Sequence, residues 1–272
     1  MNFAKPELLA PAGDYTRFRY AVEYGADAVY VGGEEFSLRT AVANFPRADL
    51  ARAVDYAHRR NVRVYVACNT VPRNDEIERF SDYLQFLKKI EVDALIVSDL
   101  GLFMMIRDEC PEMELHVSTQ ANISNYADCL AWHRLGAKRV VLARELTFDE
   151  ITQIRLRTPG SLEIEAFVHG AMCVSHSGRC LLSNFMTGRD ANRGNCAQAC
   201  RWKYNLVEEK RPGQYMPVEE TDTGTFIFNS KDLCMIDHVP DLISAGITSF
   251  KIEGRVKTEY YVACVVAAYR RA

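Results

Sequence analysis

TSFKIEG (248–254), followed by KTEYYVACVVAAYRRA (257–272), ends the chain with a short β-branched apolar run and then a stretch of helical period. Upstream, the same kind of apolar run occurs seven more times: ELLAPAG (7–13), DAVYVGG (27–33), VRVYVACN (62–69), DALIVSD (93–99), ELHVSTQ (114–120), KRVVLAREL (138–146) and LEIEAFVHG (162–170). Between them lie TRFRYAVEYG, ADLARAVDYAHRRN, NDEIERFSDYLQFLKKI, LGLFMMIRDEC, NYADCLAWHRLG and TFDEITQIRLRT. Several of these open on Asp, Asn or Thr in a capping position and close on Gly or Asn, as helices do. A short apolar run followed by a 3.6-residue period reads as strand, then helix. Repeated, that pattern makes a parallel sheet with right-handed crossovers. Eight units in 272 residues predict an α/β chain folded as a (β/α)8 barrel. The alternative is an open doubly wound sheet, which wants a GxGxxG turn after its first strand; ELLAPAGD has none.

A chain of 272 residues needs only one such barrel, so the expected organisation is a single domain over 1–272. The net charge of −3 excludes a polycation that coats nucleic acid indiscriminately. The opening MNFAKPELLAPAGD has no apolar signal region, and no membrane span is visible, so a cytoplasmic location is expected. In that reducing compartment the nine cysteines are not a disulfide framework.

Five of the nine crowd the insertion between strands seven and eight, in HGAMCVSHSGRCLLSNFMTGRDANRGNCAQACRWKY (169–204) and NSKDLC (229–234). Their spacing is Cys173-x6-Cys180-x15-Cys196-x3-Cys200-x33-Cys234, which is neither a zinc ribbon nor a bacterial ferredoxin run. Gathered thiolates are soft ligands, and four of them suit a [4Fe–4S] cluster, which tolerates irregular spacing. A zinc ion, or a set of small buried hydrophobes, is the alternative. Of the neighbours Cys196 and Cys200, the reading leaves out Cys200. Cys68, Cys110, Cys129 and Cys264 stand singly on predicted strands and helices and read as core. The chain leaves strand seven at the barrel's catalytic face, so 171–234 should cap the active site. The same insertion suggests a hairpin of KYNLVEEK (203–210) and TGTFIFNS (223–230) around the polar loop RPGQYMPVEETD (211–222). It also carries Arg179, Arg189, Arg193, Arg201, Lys203, Lys210 and Arg211 against Asp190, Glu208 and Glu209. Phe185, Trp202 and Tyr204 offer stacking faces, so the patch reads either as a nucleic-acid footprint or as a solvated loop over the cluster.

Barrel chemistry sits at strand C-termini. Arg39, Arg144 and Arg255 there can take carboxylates in bidentate fashion, and Asn69 and Gln120 add amides for a small polyanion. His169 and Glu253 are the candidate catalytic groups, His169 because it can transfer a proton near neutral pH. Structural ion pairing is the competing role for each. HExxH and GxSxG motifs are absent, and although Cys173 and His176 are close, nothing fixes them as a nucleophile pair.

ELLAPAGD, AVYVGG with Phe and Arg following, the cysteine segment quoted above, NSKDLC and KIEGRVKTEYYVA together resemble the collagenase-like peptidase family U32 over nearly the whole chain. The resemblance implies an oxygen-independent hydroxylation protein with a [4Fe–4S] cluster. RDANRGNCAQACRWKY is most similar to the branch that forms 5-hydroxyuridine at the tRNA wobble position using prephenate; other branches act on ribosomal RNA or in ubiquinone synthesis. By that resemblance the cluster ligands are Cys173, Cys180, Cys196 and Cys234, and the partner is the tRNA anticodon region. A peptidase, as the family label says, and a non-catalytic partner subunit are the rival implications. Longer members of the tRNA branch continue past the position of Ala272 into a β-rich domain.

Overall fold

A computed structural model of the chain describes residues 5–38, 44–173, 175–176, 179–202, 205–206, 209–214, 216–217 and 232–272. The barrel strands are β1 (Glu7–Pro11), β2 (Ala28–Gly32), β3 (Arg63–Cys68), β4 (Ala94–Val97), β5 (Glu114–Val117), β6 (Arg139–Val141) and β7 (Glu163–Gly170). Three two-residue strands follow in the insertion, β8 (Asn205–Leu206), β9 (Met216–Pro217) and β10 (Leu233–Cys234), before β11 (Ser249–Ile252). Each barrel strand pairs in parallel with the next, and β11 lies between β7 and β1, so the ring closes. The (β/α)8 barrel expected from the strand–helix alternation is the observed fold.

Helices α1 (Tyr15–Glu23), α2 (Arg47–His58), α3 (Asn74–Lys89), α4 (Leu100–Glu109), α5 (Tyr126–Arg134) and α6 (Phe148–Leu156) wrap the outside; α7 (Leu182–Thr187) belongs to the insertion, and α8 (Val239–Ser244) and α9 (Glu259–Arg271) complete the shell. Their starts obey local chemistry. The Asp14, Asp99, Asn125 and Thr258 side chains each accept the N–H three residues on, and Thr147 forms a reciprocal capping box with Glu150. The outer core packs strand residues such as Val29, Val66, Leu95 and Ile164 under Phe18, Leu50, Leu84 and Phe103 of the helices. Among the described residues no helix is long and apolar enough to cross a membrane.

The barrel interior is divided. Leu9, Ala28, Tyr30, Tyr65, Ala94 and Ile96 form an apolar cluster. Beneath them lies a buried ionic network. Arg139, on β6, reaches Glu7 at 2.6 Å, Glu163 at 2.6 Å and Glu165 at 2.9 Å, and Lys251, on β11, meets Glu165 at 2.7 Å. Tyr65 donates its hydroxyl to Glu7 at 2.5 Å. Burial alone would raise the Glu165 carboxyl, but Lys251 and Arg139 hold it down to about 2.

At the upper rim, Arg255 donates to Ser37 Oγ at 2.8 Å and to the Leu38 carbonyl, holding these two residues after β2. Gly32 leaves room for this. A Cβ there would lie 2.1 Å from Arg255 Nη1 and 2.2 Å from Ser37 Oγ. Gly32→Ala is therefore expected to displace Arg255 and cost about 1–3 kcal/mol, read as a lowered urea midpoint with an unchanged m value.

Strand β7 carries one extra residue. Phe167 pairs with Lys251 but His169 with Ile252, so two residues of β7 oppose one of β11. Phe167 faces the interior, whereas His169 turns outward against Tyr261 and Tyr269 of α9, with ring centroids at 5.9 and 5.6 Å. Beside it, β10 runs antiparallel, pairing Leu233 with Gly170 and Cys234 with His169. The hairpin differs from expectation. Asn205–Leu206 pairs with Met216–Pro217, inside the stretch read as loop; TGTFIFNS (223–230) lies outside the described residues.

Candidate functional site

The insertion folds back over the C-terminal ends of the strands and roofs a chamber. Its floor and walls are barrel residues: Tyr30, Asn69, Gln120, Phe167, Lys251 and Glu253, with Arg144 and Arg255 at the rim. Its roof contains Cys173, Cys180, Cys196 and Cys200. Cys180 is buried and the other three are half-buried. Burial raises the Cys200 thiol, and the nearby thiols of Cys173, Cys196 and Cys180 push it the same way. Cys234 is exposed on β10 and does not line the chamber; its thiol lies by Tyr269 and Tyr261 instead. The fifth thiol, which the sequence reading set aside, is thus grouped with three of the four it chose.

Backbone hydrogen bonds place these thiols. Asn192 clasps Cys180, its amide oxygen accepting the Cys180 N–H at 3.2 Å and its amide nitrogen donating to the Cys180 carbonyl at 3.0 Å. Gln198 adopts φ 55, which turns its N–H onto the Cys196 sulfur at 3.3 Å. Hydrogen bonds of this kind stabilise a thiolate and tune a cluster. Ser183, the buried residue of α7, accepts the Ala197 N–H and donates to the Arg189 carbonyl. Four cap arginines are tied down in turn: Arg179 donates to the Gln120 carbonyl, Arg189 to Asn195 and the Cys196 carbonyl, and Arg201 to the Met172 carbonyl, while Arg193 pairs with Glu76 at 3.0 Å. Much of the basic patch is therefore framework. Lys203, Tyr204 and Glu208 lie outside the described residues.

The polar walls are partly pre-set. Asn69 donates to Gln120 at 2.7 Å, Ser118 donates to the same Gln120 oxygen at 2.9 Å, and Asn69 accepts the Leu38 N–H at 3.2 Å. Arg144 differs from these. Its Nη1 faces only the Met172 thioether at 3.4 Å, and its buried Nε has no hydrogen-bond partner among the described residues. A thioether is a weak acceptor, so this guanidinium at the chamber rim keeps donors open. Glu253 is buried, its N–H bonded to the His169 carbonyl at 2.8 Å and its carbonyl to the Tyr261 hydroxyl at 3.0 Å. His169 does not line the chamber; burial lowers its pKa. Arg39 lies outside the described residues.

Sequence reasoning passed over Lys251 and Glu165. The Lys251 ammonium forms part of the chamber floor, over the rings of Tyr30 and Phe167 at 4.5 and 5.5 Å, and burial lowers its pKa against the pull of Glu165. A signal was present: Ser249, Lys251 and Glu253 alternate with Phe250 and Ile252 on a strand whose outer face must be apolar. Polar residues of that parity point into a barrel.

The donor set suits a cluster. Four soft thiols share one chamber, and a [4Fe–4S] centre takes one thiolate per iron across its breadth.

A barrel whose catalytic mouth is roofed by a thiol-bearing insertion is the class that these observations define. The chain belongs to Peptidase family U32, whose model matches residues 13–272. It is similar to the solved structure of the U32 peptidase Mk0906, with a TM-score of 0.60 over 93% of this chain and 95% of that one at 17% identity, a likeness of fold. Among curated proteins it is 41% identical to tRNA hydroxylation protein P of Escherichia coli (strain K12), over 98% of this chain and 68% of that protein. It is 40% identical to the 23S rRNA 5-hydroxycytidine C2501 synthase of the same organism, over 97% of this chain and 39% of that protein. The chain thus spans about two-thirds of the first relative's length and well under half of the second's.

Proposed function

We propose that this chain hydroxylates RNA, with the tRNA wobble uridine as substrate and 5-hydroxyuridine as product. The reaction is oxygen-independent, using a [4Fe–4S] cluster and a small carboxylate donor such as prephenate. The observation that carries the reading is one chamber in which four thiols face a guanidinium with donors to spare. The relatives' names, both RNA hydroxylation proteins, support it.

Cys173, Cys180, Cys196 and Cys200 would hold the cluster, with Cys200 in the fourth place that the sequence motif gives to Cys234. When bound, a [4Fe–4S] cluster supplies one-electron chemistry. The remaining roles belong to the chain itself. Arg144 grips a donor carboxylate. The Asn69–Gln120 pair presents fixed amide groups that orient the donor. Lys251 sets a positive floor beneath it, balanced by Glu165, and Glu253 is the carboxyl placed to hold or accept a proton inside the chamber. The roof excludes bulk water.

The test is nucleoside mass spectrometry of tRNA from a strain lacking the gene and any redundant hydroxylation pathway. Loss of 5-hydroxyuridine derivatives, restored by wild type and not by Cys196→Ala, is the expected result. Unchanged modification together with gelatin or peptide cleavage by purified protein would replace the reading with a peptidase. Modification lost only with a second gene would make the chain a partner subunit.

Arg144→Ala should leave the iron absorption intact and weaken donor binding. Losing a charge-assisted hydrogen bond costs about 1.5–3 kcal/mol, or roughly ten- to a hundredfold in affinity. Isothermal titration of the iron-loaded protein with prephenate checks this.

A further inference from the structure

Outside the chamber, a groove runs between the start of α3 and the cap. Val71 and Arg73 form one bank, and Arg179, Leu181, Asn192 and Arg193 the other. The Val71 N–H bonds to the Asn192 carbonyl at 3.2 Å, so barrel and cap are joined along the floor. Asn192 is also the residue that clasps Cys180. Sequence neighbours thus line the two cavities: Leu181, Asp190 and Asn192 the groove, and Cys180, Leu182 and Ala191 the thiol chamber.

The groove is cationic. Three guanidinium groups face one lining carboxylate, Asp190, which already accepts the Asn192 N–H. Glu76 offsets Arg193. Arg179 spends only its Nε, on a neutral carbonyl. The Arg73 guanidinium has no hydrogen bond or ion pair among the described residues; its backbone is engaged, the N–H donating to Glu76 and the carbonyl accepting from the Glu76 and Ile77 N–H groups. Against Asp190 and Glu76 the three guanidinium groups leave one net positive charge, and Arg73 and Arg179 make no ion pair among the described residues. Beside them stand exposed apolar side chains. Leu181 is 78% exposed and Phe185 87%, and the Phe185 N–H bonds to the Leu181 carbonyl, which puts both on one helical face.

We infer that this groove seats an unpaired RNA strand, with phosphates on Arg73 and Arg179 and a base stacked on Phe185, alongside the roof of the chamber. The inference rests on the RNA reading above and names the surface that serves it. Charge with an adjacent bare aromatic ring is what a single strand matches, because it offers phosphates and open base faces together. A duplex hides its bases, and an acidic peptide has no need of the ring.

The experiment uses the iron-loaded 272-residue chain, prepared anaerobically, and fluorescence anisotropy with a labelled RNA hairpin carrying an unpaired loop. Arg73→Ala should weaken binding and flatten the dependence of log K on log salt by about 0.7, the share of one single-strand phosphate contact. Phe185→Ala should weaken binding roughly tenfold with the salt slope unchanged. Both side chains are on the surface, so the iron absorption should match wild type and certify folding. Wild-type affinity and slope in both variants would overturn the groove while leaving the RNA reading intact, since that reading is judged by the nucleosides of the deletion strain. An absence of salt-sensitive RNA binding by the wild-type chain would also overturn it. So would Arg73-dependent binding of a polyglutamate peptide in place of RNA, which would make the surface a protein dock.

Discussion

Cys180→Ala protein purified without oxygen should be colourless, whereas wild type should be brown with about four irons per chain. Cys180 is the most buried of the chamber thiols and is held at both its N–H and its carbonyl by Asn192. In the proposed ligand set, removing its sulfur would leave one iron without a protein ligand. Cys173→Ala, Cys196→Ala and Cys200→Ala should behave alike, because all three sulfurs line the same chamber. Cys234→Ala should keep its colour, since Cys234 is exposed on β10. Iron assay and the absorption spectrum decide the matter. The opposite pair of results, with colour lost in Cys234→Ala and kept in Cys200→Ala, would return the fourth place to the motif assignment.

Arg139→Met should be the most destabilising single change in the barrel. Arg139 is 2% exposed and balances Glu7, Glu163 and Glu165 at once. Methionine fills much of the volume but leaves Glu165 to Lys251 alone and Glu163 to the exposed Lys138. Removing one partner of a buried ion network costs about 3–5 kcal/mol, a large share of the 5–15 kcal/mol typical of a folded protein. Arg139→Lys, which keeps the charge and loses the fork, should fall between. Urea unfolding measures all three. The same network sets a pH dependence. Glu165 has a folded pKa of about 2 against an ordinary 4.5, so its contribution is full above about 4.5 and drains away as pH falls toward 2. Wild type should therefore lose stability between pH 5 and 3 more steeply than Glu165→Gln, whose residue 165 no longer titrates.

The barrel was legible because each strand announces itself twice, by β-branched composition and by the helix that follows. Boundaries were less so. KRVVLAREL yields a strand only over Arg139–Val141, after which the chain bends to bring Arg144 to the rim. Helix α8 went unread because six residues starting beside Pro240 carry too little periodicity. The thiol-rich roof was visible from residue type alone. Which thiols share it was not, because Cys200 lines the chamber whereas Cys234 lies by Tyr261 and Tyr269 of α9, and spacing carries no such information. His169 was misplaced for a related reason. Strict alternation from Glu165 and Phe167 would aim it inward, and a single extra residue in β7 turns it toward α9. Asn69, Gln120, Arg144, Glu253 and Arg255 do surround the chamber, as strand-end reasoning expects.

The two-rung pairing of Gly170 with Leu233 and His169 with Cys234 has a consequence for engineering. The chain departs from the barrel and returns to it at directly opposed residues of an antiparallel ladder. Such residues can be bridged by a two-residue turn. Residues 171–232 are thus spliced into the barrel at one point. An Asn-Gly turn joining Gly170 to Leu233 would excise the roof and leave the strand order unbroken. The roof is tied to this barrel by more than the splice, through Val71, Glu76 and Gln120, so a host barrel would have to supply those partners as well.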